Sequence, residues 1–356
     1  MKIESKVKNY LVEMSDHVLE HRDLFWKGHP GRLFYFIDQK FYKFYEPSLK
    51  AFIRDDFHFL IEATEENKSY LKLADYYRVL IENRFTRKDI LVTFGGGILQ
   101  DISGFIASTL YRGIPWVFFP TTLLAQADSC IGSKTSINFD DSKNLIGTFY
   151  PPDSIYIDVG FTETLTPSAF NSGLGEIIKF HLLSDARRYE VLRKYLSSAK
   201  LRDFKNLKQI ILSTLEIKKS YFDQDEFDTG RRNLLNYGHC FGHALESVSD
   251  FVVSHGEAVI VGMGFANLLS LKRGMIQQKE YTEFEDILQK YYPRFDVSRI
   301  TADSIIYYLK RDKKRVGNQL TMILARGLGD HVKIDDIREE EVISVYQEFF
   351  KNYPRN

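Results

Sequence analysis

The sequence predicts an α/β N-terminal half followed by a mainly α-helical C-terminal half. Three observations carry this. Short apolar runs alternate with helical stretches in the first part of the chain, the pattern of a mostly parallel sheet covered by helices. After about Gly160 long helical spacings take over. The 356 residues suit about two domains. We therefore expect an α/β domain over 1–159 and a helical domain over 160–356. In order, the first half offers strands at Leu33–Ile37 ending on Asp38, at Phe57–Glu62, at Ile90–Phe94 and at Trp116–Phe119, the last stopped by Pro120. Helices are expected from about Ser69 to Asn83 and from Asp101 to Tyr111. The second half has helical spacing over 168–183, 204–221, 234–248 and 257–272, with a late strand at Thr321–Leu324.

Composition narrows the function. Lys+Arg and Asp+Glu both number 48, so the formal net charge is zero, which argues against a dedicated nucleic-acid binder. The 44% hydrophobic and 27% charged content belongs to a globular chain. Apolar runs such as Trp116–Phe119 are far shorter than the ~20 residues of a membrane span. The opening residues MKIESKVKNY lack the apolar stretch of a secretory leader. Two cysteines, Cys130 and Cys240, imply no disulfide framework, so a cytoplasmic protein is expected.

Four groups of residues could carry chemistry. Gly95-Gly96-Gly97 joins a strand to a helix, where backbone N–H groups and the helix N-terminus suit a pyrophosphate, or simply a tight packed turn. Asp38, at a strand end, could accept hydrogen bonds from a ribose diol or cap the next helix. The stretch from Pro120 to Lys134, with Asp128, and then Lys143-Asn144, gathers hydroxyls, amides and ammonium groups that suit a phosphorylated, polyhydroxylated ligand, or form a polar loop. Most telling, Arg232, Asn236, His239 and His243 are spaced 4, 3 and 4. On one continuous helix they would share an arc of roughly 60°. His255 follows at the start of the next helix, and Glu176 and Lys179 lie three apart on another. A carboxylate with two or three imidazoles suits a catalytic Zn²⁺ site, or else a buried histidine network. Lys179, Lys218, Arg232, Lys313 and Lys314, with Arg112, Lys134 and Lys143, would suit a ligand bearing both phosphate and carboxylate. His331 reads as an isolated packing residue.

From about Glu65 to Leu324 the chain resembles the sugar phosphate cyclases, most closely the 3-dehydroquinate synthase family. The motifs are GGGILQD, YRGIPWVFFPTTLLAQADSCIGSKT, SKNLIG, GLGEIIK, NLLNYGHCFGHALE and SHGEAV, in that order. The resemblance implies a Rossmann-like NAD domain, a helical metal-binding domain and an active site between them. It implies metal ligands at Glu176, His239 and His255, for zinc or cobalt in its place. It assigns the substrate to Asp128, Lys134, Asn144, Lys179, Lys218, Arg232, Asn236, His243 and Lys314, with Arg112 lent across a homodimer to the phosphate. NAD contacts fall on Asp38, Glu65, Lys68, Gly95, Gly96, Gly97, Asp101, Thr121, Thr122, Lys143 and Thr164. The implied activity is NAD- and metal-dependent cyclisation of 3-deoxy-arabino-heptulosonate 7-phosphate to 3-dehydroquinate with phosphate release, a lyase reaction of the shikimate pathway. Gln100, Ser133 and Gly175 depart from the family pattern, which has glycine at the first two positions and alanine at the third. Such departures leave room for a 2-epi-5-epi-valiolone, 2-deoxy-scyllo-inosose or aminodehydroquinate synthase. An iron- or zinc-dependent alcohol dehydrogenase shares the two-domain plan in outline.

Overall fold

The computed structural model describes residues 1–26, 31–140, 142–250, 252–311 and 320–354. Its strands are β1 (Lys2–Ile3), β2 (Tyr10–Met14), β3 (Leu33–Asp38), β4 (Phe57–Ile61), β5 (Ile90–Gly95), β6 (Trp116–Pro120), β7 (Lys134–Phe139), β8 (Ser142–Phe149), β9 (Ser154–Ile157), β10 (Leu320–Gly327) and β11 (Asp330–Ile337). The chain forms two compact units. One comprises residues 1–165, 202–211 and 218–227; the other comprises 166–201, 212–217 and 228–356.

The first unit is built on a seven-stranded sheet in the order β1-β2-β9-β6-β5-β3-β4. Only the β1–β2 pairing is antiparallel. β5 and β6 are buried along their whole length, as expected of strands covered on both faces. Its helices are α1 (Arg22–Trp26), α2 (Gln39–Ile53), α3 (Tyr70–Glu82) and α4 (Gly97–Thr109). Aromatic rings fill one side of the sheet: Phe94 stacks on Phe119 at 4.3 Å, and Phe161 meets Phe41 edge-on at 4.8 Å. On α4, Gly104 lies against the buried Trp116, so the helix approaches the sheet closely. The hairpin β7–β8 stands apart from the main sheet and packs on α4. Residues 1–25 and 134–157 contain strands with weak apolar patterns, and the sequence reading did not anticipate them.

The second unit consists of α5 (Pro167–Leu182), α6 (Ala186–Leu196), α8 (His239–Val248), α9 (His255–Lys272), α10 (Gln278–Leu288), α11 (Ala302–Arg311) and α12 (Glu339–Lys351), with the hairpin β10–β11. A further helix, α7 (Phe204–Phe222), has residues in both units. α9 is buried continuously from Gly256 to Ser270, which makes it the central helix of this unit. α5 and α8 pack on it at backbone distance. A Cβ on Gly175 would sit 2.2 Å from the Gly256 carbonyl oxygen, and one on Gly256 would sit 1.8 Å from that of Ser172. Hydrogen bonds also tie α5 to α9. Ser172 Oγ accepts from the Gly256 N–H at 3.0 Å, and Ser168 donates to Glu257 at 3.0 Å.

One sequence expectation fails here. Arg232, Asn236, His239 and His243 do not share one helix. Arg231–Asn236 is a 3₁₀ helix, and Gly238, at φ +77°, breaks the chain before α8 begins on His239. Only His239 and His243 keep the one-turn spacing. The α4 helix also begins at Gly97, directly on the glycine turn, earlier than its apolar pattern suggested.

Two predictions follow from this packing. Gly256→Ala must push α5 away from α9, so thermal unfolding of that variant should show a loss of about 1–3 kcal/mol or more. His331 is buried with no hydrogen-bond partner on either ring nitrogen among the described residues, and burial lowers its pKa to about 4. The unfolded chain therefore binds this proton more tightly than the folded one. The stability contributed is complete above about pH 6.5 and is lost as the pH falls toward 4. His331→Leu should flatten the stability curve over that window in chemical denaturation.

Candidate active site

In the second unit, Glu176 is fully buried on α5, and His239, from α8, and His255, from α9, face it. His239 Nε2 and His255 Nε2 lie 3.6 and 3.4 Å from Glu176 Oε1. These separations are long for hydrogen bonds. They match the ~3.4 Å spacing of ligand atoms around a tetrahedral zinc with bonds of 2.0–2.1 Å. His243 completes a cluster in which one ring nitrogen from each of His239, His243 and His255 lies within 4.8 Å of the others. The far sides of two imidazoles are held: His255 Nδ1 faces Glu246 at 3.1 Å, and His239 Nδ1 faces the Tyr237 carbonyl at 3.2 Å. Such partners accept a hydrogen bond from Nδ1–H, which sets the tautomer in which Nε2 carries the lone pair a metal would take. The donor set therefore fits a divalent metal such as zinc.

The electrostatics agree. Burial disfavours the Glu176 charge, but Lys179, one turn along α5, and His255 outweigh it and hold the carboxyl below the usual carboxylate range. Burial likewise works against a charged His255, yet Glu176 and Glu246 hold its pKa above the ordinary value. A metal ion would take the place of that proton. Arg232 is buried in the 3₁₀ segment, and Asn236 donates to the Asn233 carbonyl at 2.9 Å.

The first unit gathers a second set of candidates. Lys68 is buried, with its ammonium 2.8 Å from Asn144 Oδ1, 3.2 Å from Asp101 and 3.7 Å from Glu65. Ser136 donates its N–H to Asp101 at 2.9 Å, and its hydroxyl lies within hydrogen-bond distance of both Asp101 and Asn144. Burial pushes the Asp101 carboxyl upward, against the pull of Lys68. Lys143 stands 4.0 Å from Glu65. Gly95, Gly96 and Gly97 form the turn between β5 and α4, where a Cβ on Gly96 would sit 3.0 Å from Thr122. Thr121 donates its N–H to the Gly95 carbonyl at 2.9 Å. Thr164 ends a 3₁₀ turn beyond β9. Asp38 caps α2, and its Oδ1 accepts the N–H groups of Lys40 and Phe41 at 2.7 and 3.1 Å. The helix-cap alternative is thus realised there, with Oδ2 outside the cap.

Asp128 pairs with Lys218 in the same unit, carboxylate to ammonium at 2.6 Å. Lys134 is exposed at the start of β7. It follows Ser133, which holds a left-handed φ of +64°, a conformation glycine adopts at less cost. Arg112 is exposed on a turn in which Tyr111, Arg112 and Gly113 all have positive φ. Lys313 and Lys314 lie outside the described residues. Sequence reasoning missed Glu246 and Tyr237, whose only signal was adjacency to the histidines within NLLNYGHCFGHALE. It also missed the pairing of Lys218 with Asp128, which are 90 residues apart.

Family models agree with this arrangement. The model for the 3-dehydroquinate synthase N-terminal region matches residues 58–172, and the model for its C-terminal region matches 173–315. A 3-dehydroquinate synthase of Streptococcus pyogenes serotype M3 is 34% identical over 334 residues, 92% of each chain. One from a Sulfurovum species is 37% identical over 286 residues, covering 80% of this chain and 81% of that one. Among solved structures, a 2-epi-5-epi-valiolone synthase from Streptomyces hygroscopicus, with NAD⁺ and Zn²⁺ bound, superposes with a TM-score of 0.85 at 26% identity over 98% of both chains. With both regions matched and relatives more than a third identical over most of their length, the chain belongs to the 3-dehydroquinate synthase family.

Proposed function

We propose that this protein is a carbon–oxygen lyase that cyclises 3-deoxy-arabino-heptulosonate 7-phosphate to 3-dehydroquinate with release of phosphate. The observation that carries the reading is the Glu176–His239–His255 cluster, spaced for a tetrahedral metal, in a chain of this family. When bound, NAD⁺ supplies a hydride acceptor that is regenerated within the cycle, and the divalent metal supplies a Lewis acid for adjacent hydroxyls. The valiolone synthase relative carries both groups, and we extend them to this chain.

The chain's own residues then divide by chemistry. Glu176, His239 and His255 hold the metal, with Lys179 keeping Glu176 charged and Glu246 orienting His255. His243 and Asn236 position substrate hydroxyls. The backbone of Gly95–Gly97 and the N-terminus of α4 receive the NAD pyrophosphate, and Asp38, through Oδ2, receives a ribose. Glu65, Lys68, Asp101, Thr121, Thr122, Lys143 and Thr164 complete the cofactor set. Lys134, Asn144 and Arg112 hold the phosphate, Arg112 being offered to the partner in a homodimer. Lys314 is assigned there by motif alone. Lys218, steadied by Asp128, and Arg232 recognise the carboxylate; a planar guanidinium gives bidentate contacts. We place the enzyme in the cytoplasm.

Phosphate release tests the function. The zinc-loaded protein with NAD⁺ should release phosphate from 3-deoxy-arabino-heptulosonate 7-phosphate, form dehydroquinate and accumulate no NADH. Release from sedoheptulose 7-phosphate instead would make it a valiolone-type cyclase, and net NADH would indicate a dehydrogenase. The metal assignment has its own readout. His239→Ala and His255→Ala each leave two of three ligands, so the purified variants should hold less than about a tenth of the wild-type zinc by elemental analysis. Near-stoichiometric zinc in either would remove that residue from the ligand set.

A further inference from the structure

Gln100 stands where the family pattern has glycine, and its side chain forms a reciprocal clamp. Gln100 Nε2 donates to the Ser129 carbonyl at 2.6 Å, and Ser129 Oγ donates back to Gln100 Oε1 at 2.6 Å. Gln100 is nearly buried and sits in the first turn of α4, its N–H bonded to the Gly96 carbonyl. Ser129 ends a π-helical turn, Ala125–Ser129, a geometry uncommon outside functional segments. The residue before it, Asp128, binds Lys218 twice. Its carboxylate is 2.6 Å from the ammonium and its backbone carbonyl is 2.7 Å from it. A Cβ on Gly97 would lie 3.7 Å from Ser129 Oγ, so the glycine turn itself runs against the clamp. One amide thus joins the phosphate-binding turn to the segment that fixes Lys218. A structural glycine at position 100 would offer no such link.

We propose that Gln100 is a positioning residue that transmits occupancy of the Gly95–Gly97 turn to the Asp128–Lys218 pair, so that bound NAD⁺ rigidifies the lysine's anchor. This rests on the cofactor reading above. A ligand that stabilises α4 narrows the motion of Gln100, and the two hydrogen bonds pass that restraint to residues 125–130. Without the clamp, the turn and the lysine segment keep only the longer backbone route, in which Thr121 donates to the Gly95 carbonyl and Ala125 and Gln126 donate to Thr122.

Cys130 supplies the measurement. It is buried directly after Ser129 and, with its thiol pKa pushed up to about 12 by burial, reacts only when its segment opens. Iodoacetamide labelling of the zinc-loaded protein, resolved by peptide mass spectrometry, should slow at Cys130 about fivefold or more on adding NAD⁺. Cys240, in the other unit, serves as the reference. In Gln100→Met, NAD⁺ should still bind by calorimetry while the protection falls below about twofold. Gln100→Ala, a good helix former, repeats the test without an apolar chain against Ser129. Ser129→Thr, which keeps the hydroxyl, should retain the protection. Equal protection in wild type and both Gln100 variants, or none in wild type despite bound NAD⁺, would overturn the clamp. Failure of wild type to bind NAD⁺ would overturn both the clamp and the cofactor reading. NAD⁺ binding without turnover of the heptulosonate would overturn the functional reading alone and leave the labelling result standing.

Discussion

The contact on which the rest of the second unit depends is the one between α5 and α9. Helices normally cross at 8–10 Å because side chains keep their axes apart. Here Gly175 and Gly256 remove those side chains at the crossing, and the backbones touch. Each glycine adjoins a candidate ligand: Gly175 precedes Glu176, and Gly256 follows His255. The close approach is therefore what sets Glu176 and His255 3.4 Å apart. Ser172 and Glu257 then lock the crossing with hydrogen bonds, so the separation is held from both ends of the contact.

The same economy governs the charges. A fully buried carboxylate is tolerable only when paired, and Lys179 provides the pair from the next turn of the same helix. In the first unit, buried Lys68 is satisfied by Asp101 and Asn144, and Asp128 satisfies Lys218. Lys68, Lys179 and Lys218 are thus already oriented by protein acceptors. The cost of ordering a long side chain is met during folding and not again when a ligand arrives.

How far this was legible in the sequence follows from how local each feature is. Strands β3, β5 and β6 were readable because parallel strands buried on both faces are continuous apolar runs. α5 and α9 were readable from length and spacing. β2 and β9 are short and only partly buried, and β7–β8 is a hairpin whose second strand has no buried residue, so periodicity alone missed them. The histidine stripe was misread over Arg232 and Asn236 because a 3.6-residue template ran through Gly238, whose positive φ only the fold requires. The cluster itself survived that error, since His239 and His243 are separated by one true turn. The Asp128–Lys218 pairing joins residues too distant for any local pattern to connect. The roles of individual residues rested on the family resemblance, and the ligand split between His243 and His255 could not have been drawn from spacing.

The indole of Trp116, packed between β6 and α4, has a further consequence. The chain's two tryptophans, Trp26 and Trp116, both belong to the first unit. Indole emission therefore reports on the sheet domain and is silent about the helical one. The 21 tyrosines are spread along the chain and carry signal from both. A denaturation curve followed at tryptophan wavelengths describes the melting of one half of the molecule. Loss of the α5–α9 crossing would be visible only by circular dichroism, tyrosine absorbance or calorimetry.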